Sequence, residues 1–376
     1  MGTKRTVVIG AGVIGAAVAL RLAQRGNLVT LVDAGRPGGG TSGTSFAWLN
    51  ANAKIPRGYF ELNLWGMRAH RALANELGGT WYRPVGNLEW ATADELPARV
   101  ERLRSWGYAA RDISRAEAAA LEPALRALED ASGEDAPELA FFPEEGFVLA
   151  GQLIARLITA AKSHGATVIT SEPVVGFDLR GVRIVAARLG SGERLCADEF
   201  VCCAGWQTAQ LAALAGASVP LVSPDSLESA SPALVAYTAP APFRVRRVLH
   251  TPDVNIRPTE GGQLLLEAGD LNRLAHASTP SDQVAGAAAE LLRRAARILP
   301  AHAMALERAQ VCIRPLPTDG YPIVGWAREV ERCYIMVTHS GITLAPYLAI
   351  LAAGELCDRE PAFALAPYRP NRFARL

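Results

Sequence analysis

Apolar and polar positions alternate along this chain with two different periods, and their order predicts a mixed α/β protein. Residues 6–9 form a short β-branched run, followed by Gly10-Ala11-Gly12-Val13-Ile14-Gly15. Residues 16–24 are rich in Ala and Leu and read as a helix stopped by Gly26; residues 28–32 read as a second strand closing on Asp33. Strand, glycine turn, helix and strand in that order make a βαβ unit. Further helices are expected over residues 57–77, 94–128 (charged, on the surface), 151–164, 283–298 and 347–357. Strands are expected within 81–91, over 167–170 and on to 203, and over 233–237, 254–257, 264–267 and 333–337. A Gly/Ser/Thr loop occupies residues 35–45, and a turn is expected over 338–346. No internal repeat is evident.

Composition narrows the class. Half of the 376 residues are apolar and 20% charged, enough for a large core and too apolar for a disordered chain. Lys and Arg number 38 against 37 Asp and Glu, so no charge excess points to nucleic acid or an anionic membrane. The apolar stretch 7–20 resembles a leader in composition, but Gly10, Gly12 and Gly15 interrupt it, and it reads as a strand running into a helix. No other segment gives the uninterrupted apolar run of a membrane span. The six cysteines contain no CxxC pair and read as reduced thiols of a cytoplasmic protein. No His, Asp and Glu set has metal-ligand spacing.

The first turn carries the clearest chemistry. Gly10 permits the tight turn, Gly12 lets backbone approach a pyrophosphate, and Gly15 lets helix and strand pack closely. Phosphates would then meet free N–H groups at a helix N-terminus, and Asp33 would accept bonds from a ribose diol. A glycine turn alone is weak evidence; here the surrounding elements and the terminal acid occur in the order the motif requires.

Several separated blocks together resemble the flavin-dependent amine oxidases of the D-amino-acid oxidase, glycine oxidase and sarcosine oxidase superfamily. They are VVIGAGVIG…LVD, EEGFV, CCAGW, RPLPTDGYPIVG and THSGITLAP. The resemblance implies a discontinuous Rossmann-like FAD domain (1–80, 146–218 and 313–376) and a substrate domain on a large, mainly antiparallel sheet (81–145 and 219–312). It implies FAD rather than NAD. Gly10, Gly12, Val13, Ile14, Gly15 and Asp33 would hold the ADP half, with Thr41, Ser42 and Ser45 near the pyrophosphate and ring. Val174 would meet the adenine, Ala204, Gly205 and Trp206 the pyrophosphate, and the backbone from His339 through Gly341, Ile342 and Thr343 the flavin N1–C2 edge.

The same resemblance makes Arg314 the clamp for a substrate carboxylate, which suits a planar guanidinium; a surface ion pair is the plain alternative. Cys312 matches the cysteine that sarcosine-oxidase-like members attach to flavin. The glycine-oxidase-like Arg-Pro block favours non-covalent FAD, with Cys312 a buried thiol. His339 could tune the ring or the proton balance near neutral pH, or simply donate to a carbonyl. Trp48 and Asn50, after the Ser/Thr loop, would point toward the flavin face; Trp48 would wall the substrate pocket or else be a core tryptophan. Asn255 stands where glycine oxidase has a pocket tyrosine, leaving room for an N-substituent, and Leu265 stands near where sarcosine oxidase has a lysine. The other five histidines show no partner pattern. The reaction implied is oxidation of an amino acid or N-substituted glycine, with O2 as acceptor and hydrogen peroxide as product. A dehydrogenase passing electrons to a carrier and a non-catalytic FAD-binding subunit are the alternatives; oligomeric state is open.

Overall fold

The computed structural model describes residues 3–91, 95–126, 138–226, 229–275, 279–300 and 304–373. Two large sheets dominate it. The first has six strands in the order Ile323–Trp326, Cys333–Val337, Glu199–Cys202, Arg5–Ile9, Leu28–Val32 and Thr167–Ile169. All neighbours pair in parallel except the first two. Helices Val13–Gln24, Ala150–Ser163 and Gly341–Asp358 pack over one face, sharing one apolar core with it. Burial on both faces explains why these strands are nearly continuous runs of Val, Ile and Leu.

The second sheet has eight strands, in the order Leu306–Ile313, Pro232–Thr238, Leu264–Glu267, Asn255–Pro258, Val248–His250, Asn87–Ala91, Glu138–Phe142 and Arg111–Asp112. Only the pair Val248–His250 and Asn87–Ala91 is parallel. Helix Ser281–Ile298 covers one face with Ala287, Leu291 and Ala295. Two three-stranded sheets complete the fold: the antiparallel meander Val174–Arg180, Arg183–Leu189 and Arg194–Cys196, and a small one in which Gly146–Val148 lies between Trp48–Leu49 and Tyr82–Arg83.

The expected α/β class with a mainly antiparallel second sheet is what forms, and several element boundaries are corrected. Residues 95–126 hold two helices, Glu95–Ser105 and Arg115–Leu121, separated by the strand Arg111–Asp112. Gly107 at φ +77 breaks the first, and a Ser114–Glu117 capping box starts the second. Residues 94, 127 and 128 of that expected helix lie outside the described residues. The loop 35–45 contains one helical turn, Thr41–Thr44. The last helix begins at Gly341, inside the expected turn.

Pro346 in that last helix has no N–H for the carbonyl of Ile342. His70 on helix Arg57–Leu77 supplies the missing donor, with Nε2 2.7 Å from that oxygen. Burial pushes the His70 imidazolium down to about 4, so the ring is neutral and Nε2 carries the proton. By length and composition this helix is the one, among the described residues, apolar enough to cross a membrane. Here it packs against Val13–Gln24 and Arg57–Leu77.

Its other end is tied down by a buried ion pair. Arg369 bonds both oxygens of Glu355, which also accept from the Tyr334 hydroxyl (2.5 Å) and the Ala362 N–H (2.6 Å). Burial alone would raise this carboxyl, but these donors hold it below its usual range. Its stabilisation is therefore present above the unfolded value of 4.5 and lost as pH falls below it. Glu355→Gln is expected to cost about 3–5 kcal/mol in urea unfolding at pH 7, and less at pH 4. A change under about 0.5 kcal/mol at pH 7 would show that the pair does not hold this end of the core.

Candidate functional site

One cavity of about 1040 Å³ runs from the glycine turn to the face of the eight-stranded sheet. Of the residues singled out from sequence, all but Gly15 and Leu265 line it: Gly10, Gly12, Val13, Ile14, Asp33, Thr41, Ser42, Ser45, Trp48, Val174, Ala204, Gly205, Trp206, Asn255, Cys312, Arg314, His339, Gly341, Ile342 and Thr343. Asn50 lines it too.

The turn end is built from backbone. Gly10 has φ +104, and a Cβ there would lie 2.5 Å from the carbonyl oxygen of Cys203. Gly15 does not face the cavity; a Cβ on it would sit 1.8 Å from the Gly10 oxygen, so its role is packing. Helix Val13–Gln24 has no side-chain cap at Gly12, and the Val13 N–H donates to Ser42 Oγ at 3.1 Å. Asp33 accepts from the N–H groups of Ala11 (2.6 Å) and Gly35 (2.8 Å), fixing the glycine turn to the next loop. Each carboxylate oxygen keeps a second lone pair, so Asp33 can still accept from a diol. An uncapped helix start, a backbone-lined turn and an acid at the next strand end fit a dinucleotide.

The opposite end brings together three segments distant in sequence. Thr41 Oγ1 donates to the Ile313 carbonyl, Thr343 Oγ1 to the Trp48 carbonyl at 3.2 Å, and Tyr59 OH lies 2.8 Å from Ser340 Oγ. In the large sheet Cys312 stands opposite Ala233, Val235 opposite Glu267, and Glu267 opposite Asn255, so these side chains share the cavity face. The space beside Asn255 is not empty of charge. Its amide donates to Glu267 Oε2 at 2.7 Å, while Asn272 donates to Oε1 at 2.8 Å. Leu265 is fully buried with Val235 and Tyr237, and the cation of that neighbourhood is Arg257. Its guanidinium lies 4.8 Å from the Phe147 ring centre and 5.7 Å from that of Phe46, and it donates to the Phe46 carbonyl. Burial pushes it down to about 10, so it stays charged at pH 7.

Arg314 is anchored on its inner edge. Nε and Nη2 donate to the carbonyls of Ser231 (3.4 Å) and Ala230 (2.5 Å), with Pro232 at 3.3 Å. Nη1 makes no bond, and no carboxylate pairs with Arg314 among the described residues. Arg314 lines the cavity, and the two N–H groups of Nη1 are left for an anion. Cys312 is 2% exposed, and burial raises its thiol. His339 lines the cavity and is itself exposed. Desolvation, then the charges of Arg314 and Lys54, lower its imidazolium.

Sequence reasoning missed Lys54, His250, Glu267 and Glu145. The His250 and Trp48 ring centres are 3.8 Å apart, and His250 Nδ1 lies 2.8 Å from Asn87 Oδ1, so this histidine does have partners. Trp48 Nε1 donates to Glu145 Oε2 at 3.0 Å; Asn52 donates to the same oxygen at 3.2 Å, and Tyr108 OH lies 2.8 Å from Oε1. Glu145 is fully buried, and burial raises its carboxyl to about 8. Its place in EEGFV before a strand was the only signal. Lys54 had none, because a single lysine in a loop is normally solvated.

Comparison with known proteins places this geometry. The sequence profile of the DAO family, FAD dependent oxidoreductase, matches residues 5–354. The chain is 29% identical to a glycine oxidase of Geobacillus kaustophilus over 97% of this chain and 96% of that one. It is 26% identical to a glycine oxidase of Pseudomonas aeruginosa, covering 98% and 99%. The crystal structure of the Geobacillus kaustophilus glycine oxidase superposes with a TM-score of 0.81 at 25% identity, covering 98% of each chain.

Two outcomes follow from the site. Asp33→Ala removes the link between turn and loop together with an acceptor for ribose, and should weaken FAD by about 1.5–3 kcal/mol in a fluorescence titration of the apoprotein. An unaltered affinity would place the ribose elsewhere. For Glu145 the sign is opposite to that of Glu355. Its raised carboxyl favours folding fully below the unfolded value of 4.5, and that contribution is lost as pH rises through about 8. Glu145→Gln should therefore show a smaller fall in stability between pH 5 and pH 9 than the parent, by thermal unfolding across that range; parallel profiles would contradict a protonated Glu145.

Proposed function

The chain belongs to the DAO family of FAD-dependent oxidoreductases, and on that premise we propose that it oxidises the C–N bond of an amino acid or N-substituted glycine, with dioxygen as electron acceptor. The observation that carries this reading is Arg314: a guanidinium anchored on one edge, open on the other, and without a carboxylate partner among the described residues, at the far end of a dinucleotide-binding cavity. FAD, when bound, would supply the two-electron acceptor for the substrate's α-C–H, and hydrolysis of the resulting substrate imine would complete the reaction. Amine, O2 and water together give an oxo acid, the released amine or ammonia, and hydrogen peroxide.

The protein's part is placement. Arg314 fixes the carboxylate, and with it the α-carbon, while Trp48, its ring in tilted contact with His250, gives one wall. The carboxyl of Glu145 holds the Trp48 indole from behind. The start of helix Gly341–Asp358 has no side-chain cap, and its N–H groups suit the negative charge that reduction places on the cofactor. The names of the two glycine oxidase relatives support both the substrate class and the acceptor. We assign residues 1–80, 146–218 and 313–376 to the cofactor, and 81–145 with 219–312 to the substrate. Six free thiols support a reducing compartment, the cytoplasm.

Removing the guanidinium would leave a carboxylate entering a low-polarity pocket without its partner. Arg314→Leu should lower kcat/KM on the best carboxylated amine by about 3–5 kcal/mol, several hundredfold or more, at full FAD content. Arg314→Lys should recover only part, because an ammonium cannot present two parallel N–H bonds. Normal turnover in Arg314→Leu would place the clamp on another residue.

A further inference from the structure

Glu267 ends strand Leu264–Glu267 and lines the cavity from the face of the eight-stranded sheet. Two amides fix its carboxylate. Asn255 Nδ2 donates to Oε2 at 2.7 Å, and Asn272 Nδ2 donates to Oε1 at 2.8 Å. The Asn272 amide is held in that sense, because its Oδ1 accepts the Leu234 N–H at 2.9 Å. These neutral donors occupy one lone pair on each carboxylate oxygen and leave the other two. Among the described residues no ion pair reaches Glu267. Arg257, two residues beyond Asn255 on the neighbouring strand, is taken up by the carbonyls of Phe46 and Pro258 and by two aromatic rings. A carboxylate that lines a cavity, oriented but without a cation, is fitted to receive one.

Its separation from Arg314 follows from the sheet. Cys312 stands opposite Ala233 across one pair of strands and Glu267 opposite Val235 across the next, and all four line the cavity. Arg314 is gripped by the carbonyls of Ala230, Ser231 and Pro232, just before that stretch. At about 3.4 Å per residue and about 4.8 Å between strands, Ser231 lies roughly 14 Å from the Glu267 backbone. That span favours a ligand longer than an α-amino acid, whose amine and carboxylate share one carbon. The chemistry of the reaction requires the same. Loss of a hydride equivalent from the α-carbon needs the nitrogen lone pair, so the reacting amine is neutral and is not the cation that Glu267 lacks. That cation is a second group.

We infer that Glu267 is the cation-binding group of the substrate cavity, and that the substrate class is a carboxylated amine with a basic arm. Its carboxylate meets Arg314, the ammonium or guanidinium of the arm meets Glu267, and the reacting C–N bond lies between them. This rests on the amine-oxidising reading above and narrows it. In its reacting form such a molecule carries one negative and one positive charge, each opposite its partner, and adds no net charge to the cavity.

A ladder of ω-amino acids measures the gap. From 3-aminopropanoate to 6-aminohexanoate, each has one carboxylate, one ammonium and no α-amine; propanoate to hexanoate lack only the ammonium. Each is titrated anaerobically into the FAD-loaded protein and followed by flavin absorption, in the parent, Glu267→Gln and Glu267→Asp. The parent should bind the best ω-amino acid roughly 10- to 100-fold more tightly than the matching plain carboxylate. That best member should have four carbons or more, as the strand spacing requires. Glu267→Gln should bring the ratio to within about threefold. Glu267→Asp draws the carboxylate back by one methylene and should move the optimum to a longer chain, a shift that a merely structural role would not produce. Should Glu267→Gln fail to hold FAD, the parent and Glu267→Asp still decide. No preference in the parent, or one unchanged in Glu267→Gln, would overturn the inference. An optimum at 3-aminopropanoate would also overturn it, by giving Glu267 to the reacting amine itself. Anaerobic mixing with both enantiomers of lysine and with N-(4-aminobutyl)glycine, against norleucine and N-butylglycine, separates the two readings. If none of these reduces the flavin while the Glu267-dependent preference holds, the cation site stands and amine oxidation falls. If the basic and plain amines reduce it equally well and no such preference exists, the cation site falls alone.

Discussion

Everything at this site depends on one backbone contact, Gly15 pressed against the carbonyl of Gly10. No side chain fits between them, so helix Val13–Gln24 starts directly over the end of strand Arg5–Ile9. That approach aims the uncapped helix start into the cavity and leaves room for the Cys203–Gly205 backbone beside Gly10. Asp33 then locks the arrangement by bonding both Ala11 and Gly35. A dinucleotide bound there is held mostly by main chain, which is why the turn tolerates so little variation in side-chain size.

The other end of the cavity is governed by buried charge. Arg257 is fixed between two aromatic rings and anchors the loop through the Phe46 carbonyl. Arg314 is fixed by three carbonyls and open on one edge. Lys54 is not fixed by any bond among the described residues. These three cations occupy different states of satisfaction, and the difference separates structure from binding. A cation fully engaged by the protein holds a loop in place, whereas one left open is available to a ligand. The raised carboxyl of Glu145 follows from its full burial, which disfavours ionisation even with neutral donors around it.

Much of this was legible in the chain itself, and the failures have physical causes. Helix Arg57–Leu77 and strands Leu28–Val32, Leu264–Glu267 and Cys333–Val337 carry strong periodicity or continuous apolar runs, and they were read with the boundaries they have. Strand Leu306–Ile313 was not read because it is an edge strand, largely exposed, with the polar sequence LERAQVCI. The start of the last helix was read as a turn because Gly341 and Pro346 are breakers by propensity; His70 supplies the donor that makes the proline tolerable there. The residues of the glycine turn and the Arg314 block could be found because their signals are local or carried by the resemblance. Lys54, Glu267 and His250 could not, because their significance lies in sharing one enclosed space, a property that arises only when strands and loops far apart in sequence meet.

The central claim is that this cavity presents a carboxylated amine to FAD for oxidation. The most direct measurement is anaerobic mixing of the FAD-loaded protein with a panel of amino acids and N-substituted glycines, followed by admission of oxygen. The account predicts bleaching of the oxidised flavin band by at least one carboxylated amine, one equivalent of oxo acid released for each flavin reduced, and return of colour with hydrogen peroxide when oxygen enters. A yellow protein that no carboxylated amine reduces would contradict it.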